Sequence, residues 1–317
     1  MNYCYLILFT ISLSLSFIIG IFLIPILKLI NVKQTIREDG PSSHITKKSS
    51  TPTIGGIIFL IPIFLITLIF CGIKKEFFTL DLVVVLSTML VLSILGFTDD
   101  YLKVRKQHNK GISGWSKLLI QLLLSISIFY LYKEGNNYLY LAWYFFIISG
   151  ASNSYNLTDG LDGLVGSVTL AGLCGFIVLL YSTGRFELLA FSIIFSGALL
   201  GFLYFNRYPA KVFMGDTGSL AIGGAIGTLA IVSKADLFLI CFATIPILEA
   251  LSVILQVLSF KYSKRFLGKD KRLFKMAPLH HHFELIGWKE TDVVKKFFVF
   301  QIICSLIGII ILLKNHF

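Results

Sequence analysis

The chain has 317 residues, 56% of them hydrophobic and 14% charged, with a mean hydropathy of +0.84; this excludes an ordinary soluble domain and indicates a polytopic membrane protein. Its 28 Lys and Arg against 17 Asp and Glu leave a formal charge of +11, which on composition alone suits nucleic acid, anionic lipid or phosphorylated substrates. Five cysteines (Cys4, Cys71, Cys174, Cys241, Cys304) stand mostly in apolar runs without CxxC spacing or a paired framework, and read as small core residues.

Apolar runs long enough to cross a bilayer, about 20 residues each, occupy 3–30, 54–72, 80–98, 117–132, 164–182, 188–205, 217–233, 237–260 and 296–313. The first has neither a basic n-region nor a small-residue cleavage site, so it reads as a span and not a removable signal. The run 138–151 is shorter, and a tenth span belongs there because the charge pattern needs it. With ten spans, only Lys74, Lys75, Lys133, Arg185, Lys234 and Lys314 fall on one side, which leaves 22 of the 28 basic residues on the other. By the positive-inside rule the richer side is cytoplasmic and both termini lie outside. The expectation is an all-α, single-domain protein over 1–317, with 262–295 as its one long cytoplasmic segment. Basic loops beside apolar spans point to the lipid bilayer and to phosphorylated substrates, not to nucleic acid.

The polar motifs gather on that basic side. Gly96-Phe97-Thr98-Asp99-Asp100 ends the third span, and adjacent carboxylates at a membrane boundary are costly unless a cation or lysine sits nearby. Magnesium (Mg2+), which takes one or two carboxylates plus phosphate oxygens and water, is the expected cation; the plain reading is a solvated helix end balanced by Lys103. In Asn156-Leu157-Thr158-Asp159-Gly160-Leu161-Asp162-Gly163-Leu164, an amide and two carboxylates stand on a glycine-hinged turn. Asp159 and Asp162 can face one pocket if the turn runs into a helix, or the stretch is only a cap. It also contains an N-x-[ST] sequon, which cytoplasmic placement rules out.

Further on, Asn206 to Ser219 puts Asp216 between glycines and hydroxyls where the next helix begins, and backbone N–H groups there attract phosphate. Phe213 offers a ring on which a base can stack. Asp216 as a mere N-cap is the plain alternative, and Gly223, Gly224 and Gly227 read as helix-packing residues. Glu249, in mid-span, reads as a structural interhelical hydrogen-bonding group. His280, His281 and His282 follow Met276-Ala277-Pro278-Leu279. Adjacent histidines without a further ligand at zinc spacing argue against a zinc site. In extended backbone His280 and His282 would share a side, fitting phosphate or sugar contact with Arg272 and Lys275 alongside.

Lys48-Ser49-Ser50-Thr51-Pro52-Thr53-Ile54-Gly55-Gly56, Gly96 to Lys103, Asn156 to Leu164, Phe213 to Ser219 and Met276 to Glu284 occur in this order between ten spans. Together they closely resemble the polyprenyl-phosphate N-acetylhexosamine-1-phosphate transferase superfamily. The run Ala277-Pro278-Leu279-His280-His281-His282-Phe283-Glu284 resembles its muramoyl-pentapeptide branch in particular. The resemblance implies a bacterial inner-membrane enzyme with its active site on the cytoplasmic face. It implies a Mg2+-dependent transfer of phospho-N-acetylmuramoyl-pentapeptide from UDP-N-acetylmuramoyl-pentapeptide (UDP-MurNAc-pentapeptide) to undecaprenyl phosphate, giving lipid I and UMP, and a homodimer.

By the same likeness, Asp216 is the principal metal ligand and Asn156 a second metal or phosphate contact. Asp99 is the base for the lipid phosphate, Asp100 shapes the metal field, and His280 joins these as a catalytic group. Lys48, Asp159, Asp162 and Phe213 hold the nucleoside with Gln256 nearby. Thr53, Lys103, Lys117, Asn206, His281 and His282 complete the substrate contacts. Ser50, Ile54 and Thr98 depart from the family pattern, where glycine, methionine and an apolar residue are usual. A sister N-acetylglucosamine-1-phosphate transferase would differ at the histidine run. A secondary transporter would call for symmetric halves and broken midplane helices, and a lipid-binding scaffold leaves the one-sided carboxylates without a purpose.

Overall fold

A computed structural model describes residues 2–30, 32, 51–106, 111–132, 137–267 and 272–316. Among them there is no strand. The long helices are α1 (Asn2–Leu29), α2 (Ile57–Ile73), α3 (Leu80–Lys106), α4 (Gly114–Leu131), α5 (Tyr138–Thr158), α6 (Leu164–Ser182), α7 (Phe186–Asn206), α8 (Gly215–Val232) and α9 (Thr244–Leu267). The short α10 (Leu279–Leu285) and the long α11 (Glu290–His316) follow. Helices are what such apolar runs must form, because lipid offers no partner to a free backbone N–H or C=O.

Eight of these helices are long and apolar enough to cross a membrane. The other two long helices fall short in different ways: α2 is apolar but has 17 residues, and α5 has 21 residues but a polar C-terminal half running Ser149, Ser152, Asn153, Ser154, Asn156. Counting both would give the expected ten.

The bundle is built around α8, with α3 and α5 packed along it; α1, α2 and α6 pack on α7, and α11 closes on α6. Every residue of α8 except Asp216 is buried. Its small residues explain how its neighbours come so close. A Cβ on Gly223 would lie 2.5 Å from the Ala151 carbonyl oxygen of α5, and one on Gly224 would lie 2.3 Å from a Leu92 methyl of α3. These glycines are indeed the helix-packing residues that the sequence suggests. The tightest approach is at Gly96, where a Cβ would stand 2.1 Å from the Asp216 carbonyl oxygen. Only a bare Cα lets α3 lie against the first turn of α8.

Three helix boundaries differ from the expectation. α3 does not end at the aspartate pair but runs on to Lys106, so Asp99 and Asp100 are helical and buried, with 1% and 4% exposure. The solvated-helix-end reading is therefore wrong, because α8 and the 111–117 segment cover them. α5 continues to Thr158, which puts Asn156 on a helix and leaves Asp159 to Gly163 as the turn. Finally, helix enters the 262–295 segment from both ends and forms α10 within it. The histidines are helical, so the extended alternation expected for His280 and His282 does not apply.

If Gly96 is the contact that seats α3 on α8, Gly96→Ala should lower stability by about 1–3 kcal/mol, the usual cost of overpacking. Thermal unfolding in detergent should then show a reduced apparent Tm. Gly150→Ala, at an exposed α5 position with nothing within 4 Å, should leave it unchanged or raised.

Candidate active site

Adjacent residues on a helix point about 100° apart, and Asp99 and Asp100 use that divergence. Asp100 turns to the start of α8. Its Oδ1 accepts the Asp216 backbone N–H (3.1 Å), and its Oδ2 accepts both the Thr217 backbone N–H (2.9 Å) and the Thr217 hydroxyl (2.7 Å). A carboxylate from a neighbouring helix thus caps α8, satisfying donors that have no partner in their own helix and facing the positive end of its dipole.

Asp99 turns the other way. Its Oδ1 accepts the Ile112 backbone N–H at 2.6 Å and lies 3.2 Å from Lys117 Nζ, while its Oδ2 pairs with Lys103 Nζ at 2.6 Å. The same two ammonium groups reach Asp216 Oδ2, Lys103 at 3.2 Å and Lys117 at 2.7 Å. Lys103, four residues after Asp99, shares its helix face; Lys117 comes from α4. Two lysines therefore bridge two carboxylates from different helices, with the third carboxylate behind. Oxygens of Asp99, Asp100 and Asp216 all lie within 4.8 Å of one another, a donor set of hard oxygens suited to a cation such as Mg2+.

Around this cluster the loops are tied by backbone bonds. Phe213 N–H donates to the Pro52 carbonyl (2.8 Å), Gly55 N–H to Phe213 (2.8 Å) and Gly56 N–H to Met214 (2.9 Å), joining the Thr51–Gly56 stretch to the loop before α8. Thr53 is thereby buried beside Gly215 and Asp100. Ile54 adopts φ 67°, a left-handed conformation that is uncommon for a β-branched residue. Asn206 joins the second turn to the same loop. Its Oδ1 accepts the Gly163 N–H (3.1 Å) and its Nδ2 donates to the Val212 carbonyl (3.0 Å). Asp162 adds to the tie, its Oδ2 accepting the Ala210 N–H at 2.9 Å while its own N–H donates to Glu290 Oε1 at 2.8 Å.

Residues 82–234 match the family model described as Glycosyl transferase family 4. The whole chain is similar to proteins named phospho-N-acetylmuramoyl-pentapeptide-transferase. That of Shouchella clausii is 42% identical over 317 residues, 95% of each chain; that of Clostridium botulinum is 42% identical over 314 residues, 94% of each. The Bacillus subtilis protein is 39% identical over 323 residues, covering 96% of this chain and 97% of its own. The chain belongs to the phospho-N-acetylmuramoyl-pentapeptide-transferase family.

For this family member the structure groups the expected site residues unevenly. Asp99, Asp100, Asp216, Lys103 and Lys117 form one connected cluster, with Thr53 at its back. Asn156 approaches along α5: Ile147 lies by Gly227 and Ala151 by Gly223, so the antiparallel pairing brings Asn156 level with the first turn of α8. The turn with Asp159 and the buried Asp162 is tied through the buried Asn206 to the loop that carries the half-exposed Phe213. Lys48, like Ser50, lies outside the described residues.

The histidine helix packs against α9, which itself carries Gln256 and Glu249. Gln256 accepts the Leu273 and Phe274 N–H groups and donates to the Phe274 carbonyl, holding the segment before α10. His282 Nδ1 accepts the Lys275 N–H at 3.2 Å, and His281 Nδ1 meets Glu284 Oε2 at 2.9 Å. His280 is buried. Its backbone N–H and its Nδ1 both lie 3.2 Å from Glu249 Oε1, and its Nε2 would be 2.2 Å from a Cβ on Gly160. The imidazole is therefore wedged between α9 and the Asp159–Gly163 turn. Glu249 has the structural role expected of it, although its partner comes from α10 and not from another long helix. Sequence reasoning missed Thr217 as the group capped by Asp100, the Ile112 N–H on Asp99, and Glu290. Only the hydroxyl after Asp216 carried any signal.

Glu249 and His280 are both fully buried, so Glu249→Ala leaves the His280 backbone N–H, and the imidazole Nδ1 beside it, without their partner. We expect a loss of about 1–3 kcal/mol, read as a lower apparent Tm in detergent. Glu249→Gln, whose Oε1 can still accept, should lose less than half as much.

Proposed function

We propose that the chain transfers phospho-N-acetylmuramoyl-pentapeptide from its UDP carrier to undecaprenyl phosphate in a Mg2+-dependent reaction, releasing UMP and leaving lipid I, the lipid-linked muramoyl-pentapeptide diphosphate. The observation that carries this reading is the Asp99–Lys103–Lys117–Asp216 cluster in a chain 42% identical to a named transferase over 95% of its length. The same reading makes α2 and α5 membrane spans alongside the other eight, with the carboxylates at the cytoplasmic face of the bacterial inner membrane and both termini outside. A homodimer belongs to it only through the family likeness.

Two anionic phosphates must meet for the transfer, and their repulsion is the first obstacle. Lys103 and Lys117 bring two positive charges to that point. Asp99, held by both lysines and by the Ile112 N–H, sets where those charges stand. A phosphate monoester has a second pKa of about 6, so the acceptor is largely a dianion at neutral pH and little base catalysis is required. An oxygen of the lipid phosphate bonds to the β-phosphorus while the bond from that phosphorus to the bridging oxygen breaks, and UMP leaves with the bridging oxygen. Asp216, with Asn156 as a second contact, would hold Mg2+, which would screen phosphate charge and stabilise the charge spread over the transferred group.

The other residues bind or position. Lys48, Asp159, Asp162 and the Phe213 ring hold the nucleoside, with the Thr53 hydroxyl close behind the phosphates. Asn206 and Gln256, whose amides are engaged by backbone groups, act by positioning the loops around it. His280 orients the Asp159–Gly163 turn, and His281 and His282 face the sugar and phosphates.

The deciding assay is UMP release by detergent-purified protein with undecaprenyl phosphate and Mg2+. Turnover is expected with UDP-N-acetylmuramoyl-pentapeptide and not with UDP-N-acetylglucosamine, and Asp216→Asn should lower it by at least about 10²–10³-fold, the scale on which preorganised electrostatic groups contribute. Turnover of only the glucosamine substrate would place the chain in the sister branch. No UMP from either substrate, in folded protein, would overturn the transferase reading. Direct attack further predicts no isotope exchange between UMP and the UDP-sugar without lipid acceptor; exchange would instead establish an aspartyl-phosphate intermediate.

A further inference from the structure

Lys117 closes the charged cluster from α4, a helix that packs mainly along α5 and only lightly on α3. Its partly buried Ile120 and Leu124 lie on Leu92 and Leu95 of α3 and Leu220 of α8. Only four residues of α4 are buried: Gln121, Ser125, Ile128 and Phe129. Of these, Gln121 carries a polar contact across to α5. Its Nε2 donates to the Ser152 hydroxyl at 2.8 Å, and its Oε1 accepts from Asn153 Nδ2 at 3.2 Å. Both partners are held in turn by their own helix, Ser152 donating to the Ile148 carbonyl at 2.7 Å and Asn153 to the Ser149 carbonyl at 2.8 Å. Apolar contacts let one helix slide on another, whereas a buried polar side chain with fixed partners selects one register.

That register reaches the site. Phe129 stacks on Tyr138 near the connection between the helices while Gln121 meets Ser152 further in, so α4 and α5 run antiparallel. One turn back along α4 from Gln121 is Lys117, and one turn on along α5 from Ser152 is Asn156. The bonded pair therefore sets Lys117 level with Asn156. The Lys117 ammonium lies 2.7 Å from Asp216 and 3.2 Å from Asp99. These carboxylates stand on α8 and α3, so a shift of α4 along α5 lengthens one ion pair or both. On the reading of this chain as a phospho-N-acetylmuramoyl-pentapeptide transferase, we propose that Gln121 is a positioning residue for the transfer. It touches no substrate and no carboxylate. By locking α4 to α5 it places the Lys117 charge where the two phosphates meet, and it fixes that charge relative to Asn156.

Gln121→Leu keeps most of the side-chain bulk and removes both bonds to α5. With UMP release as the readout, kcat should fall about 10–100-fold, the scale on which a small misplacement acts. The KM for each substrate should stay within about twofold, the split expected when an interaction made in the transition state is lost. Hydrogen bonds between helices in lipid contribute little to stability, so the apparent Tm should stay close to that of the unaltered protein. Ser152→Ala removes one of the two bonds from the α5 side, and combined with Gln121→Leu it should slow the reaction no further. Ser125, equally buried one turn along α4, bonds only the Gln121 carbonyl of its own helix, and Ser125→Ala should leave kcat unchanged. A normal kcat in folded Gln121→Leu, or losses that multiply in the double variant, would overturn the proposal. A readout without substrate separates this from failure of the transferase reading. Lys117 should react severalfold faster with an amine-modifying reagent in Gln121→Leu, read by mass spectrometry, while Lys103, carried by α3, keeps its rate. Faster labelling in a protein that releases no UMP would leave the lock standing and defeat the transferase reading; an unchanged Lys117 rate would defeat the lock itself.

Discussion

The bond on which the rest of the site depends is the one between the Asp100 carboxylate and the start of α8. Both oxygens of that side chain are committed to the Asp216 and Thr217 donors. A helix end buried in a bundle has N–H groups that no water reaches, and a carboxylate there supplies the acceptors and a favourable charge at once. The same contact fixes Asp216. It becomes the one residue of α8 that is not buried, placed at the mouth of a helix otherwise sealed along its length.

Once α8 is seated, the electrostatics follow from it. Three carboxylates so close would repel strongly in a low-dielectric bundle, and Lys103 and Lys117 relieve that repulsion by bridging Asp99 and Asp216. The arrangement is asymmetric. Asp100 is spent on structure, whereas Asp99 and Asp216 hold Lys103 and Lys117, whose side chains are 27% and 16% exposed. On the proposed function, a phosphate arriving there would exchange one set of anionic partners for another, so the lysines would need little reorganisation. The gap between α2 and α3 reaches Thr217, and the turn with Asp162 is tied to the loop before α8 that carries Phe213.

The histidine helix supports the Asp159–Gly163 turn. His280 links Glu249 of α9 to the bare Cα of Gly160, so the turn that carries Asp159 and Asp162 rests on a buried side-chain pair and not on the loop alone. Asn206 and Glu290 hold the same turn from two further helices. A turn with so many anchors is preorganised, which lowers the ordering cost of binding.

Much of this was legible in the chain itself. The apolar runs announced the helices, because bilayer thickness sets their length and lipid forces their backbones to pair internally. Gly223, Gly224 and Gly227 announced close packing, and Asp216 stood where its helix begins. Boundaries were less legible: hydropathy falls at Asp99 and at Asn156, yet both helices continue, since neighbours bury polar residues that look like an end. The histidine run carried no mark of its helical form.

What the sequence by itself determined was the class of protein, the set of chemical groups and their order along the chain, since these depend on composition and local period. Tertiary structure alone decided which carboxylate caps a helix and which faces the lysines, that His280 belongs to Glu249, and that α2 and α3 leave a gap. Asp100 meets Thr217 across 117 residues and Asp162 meets Glu290 across 128. Contacts at such separations arise from how whole helices pack, and no local pattern in the chain encodes them.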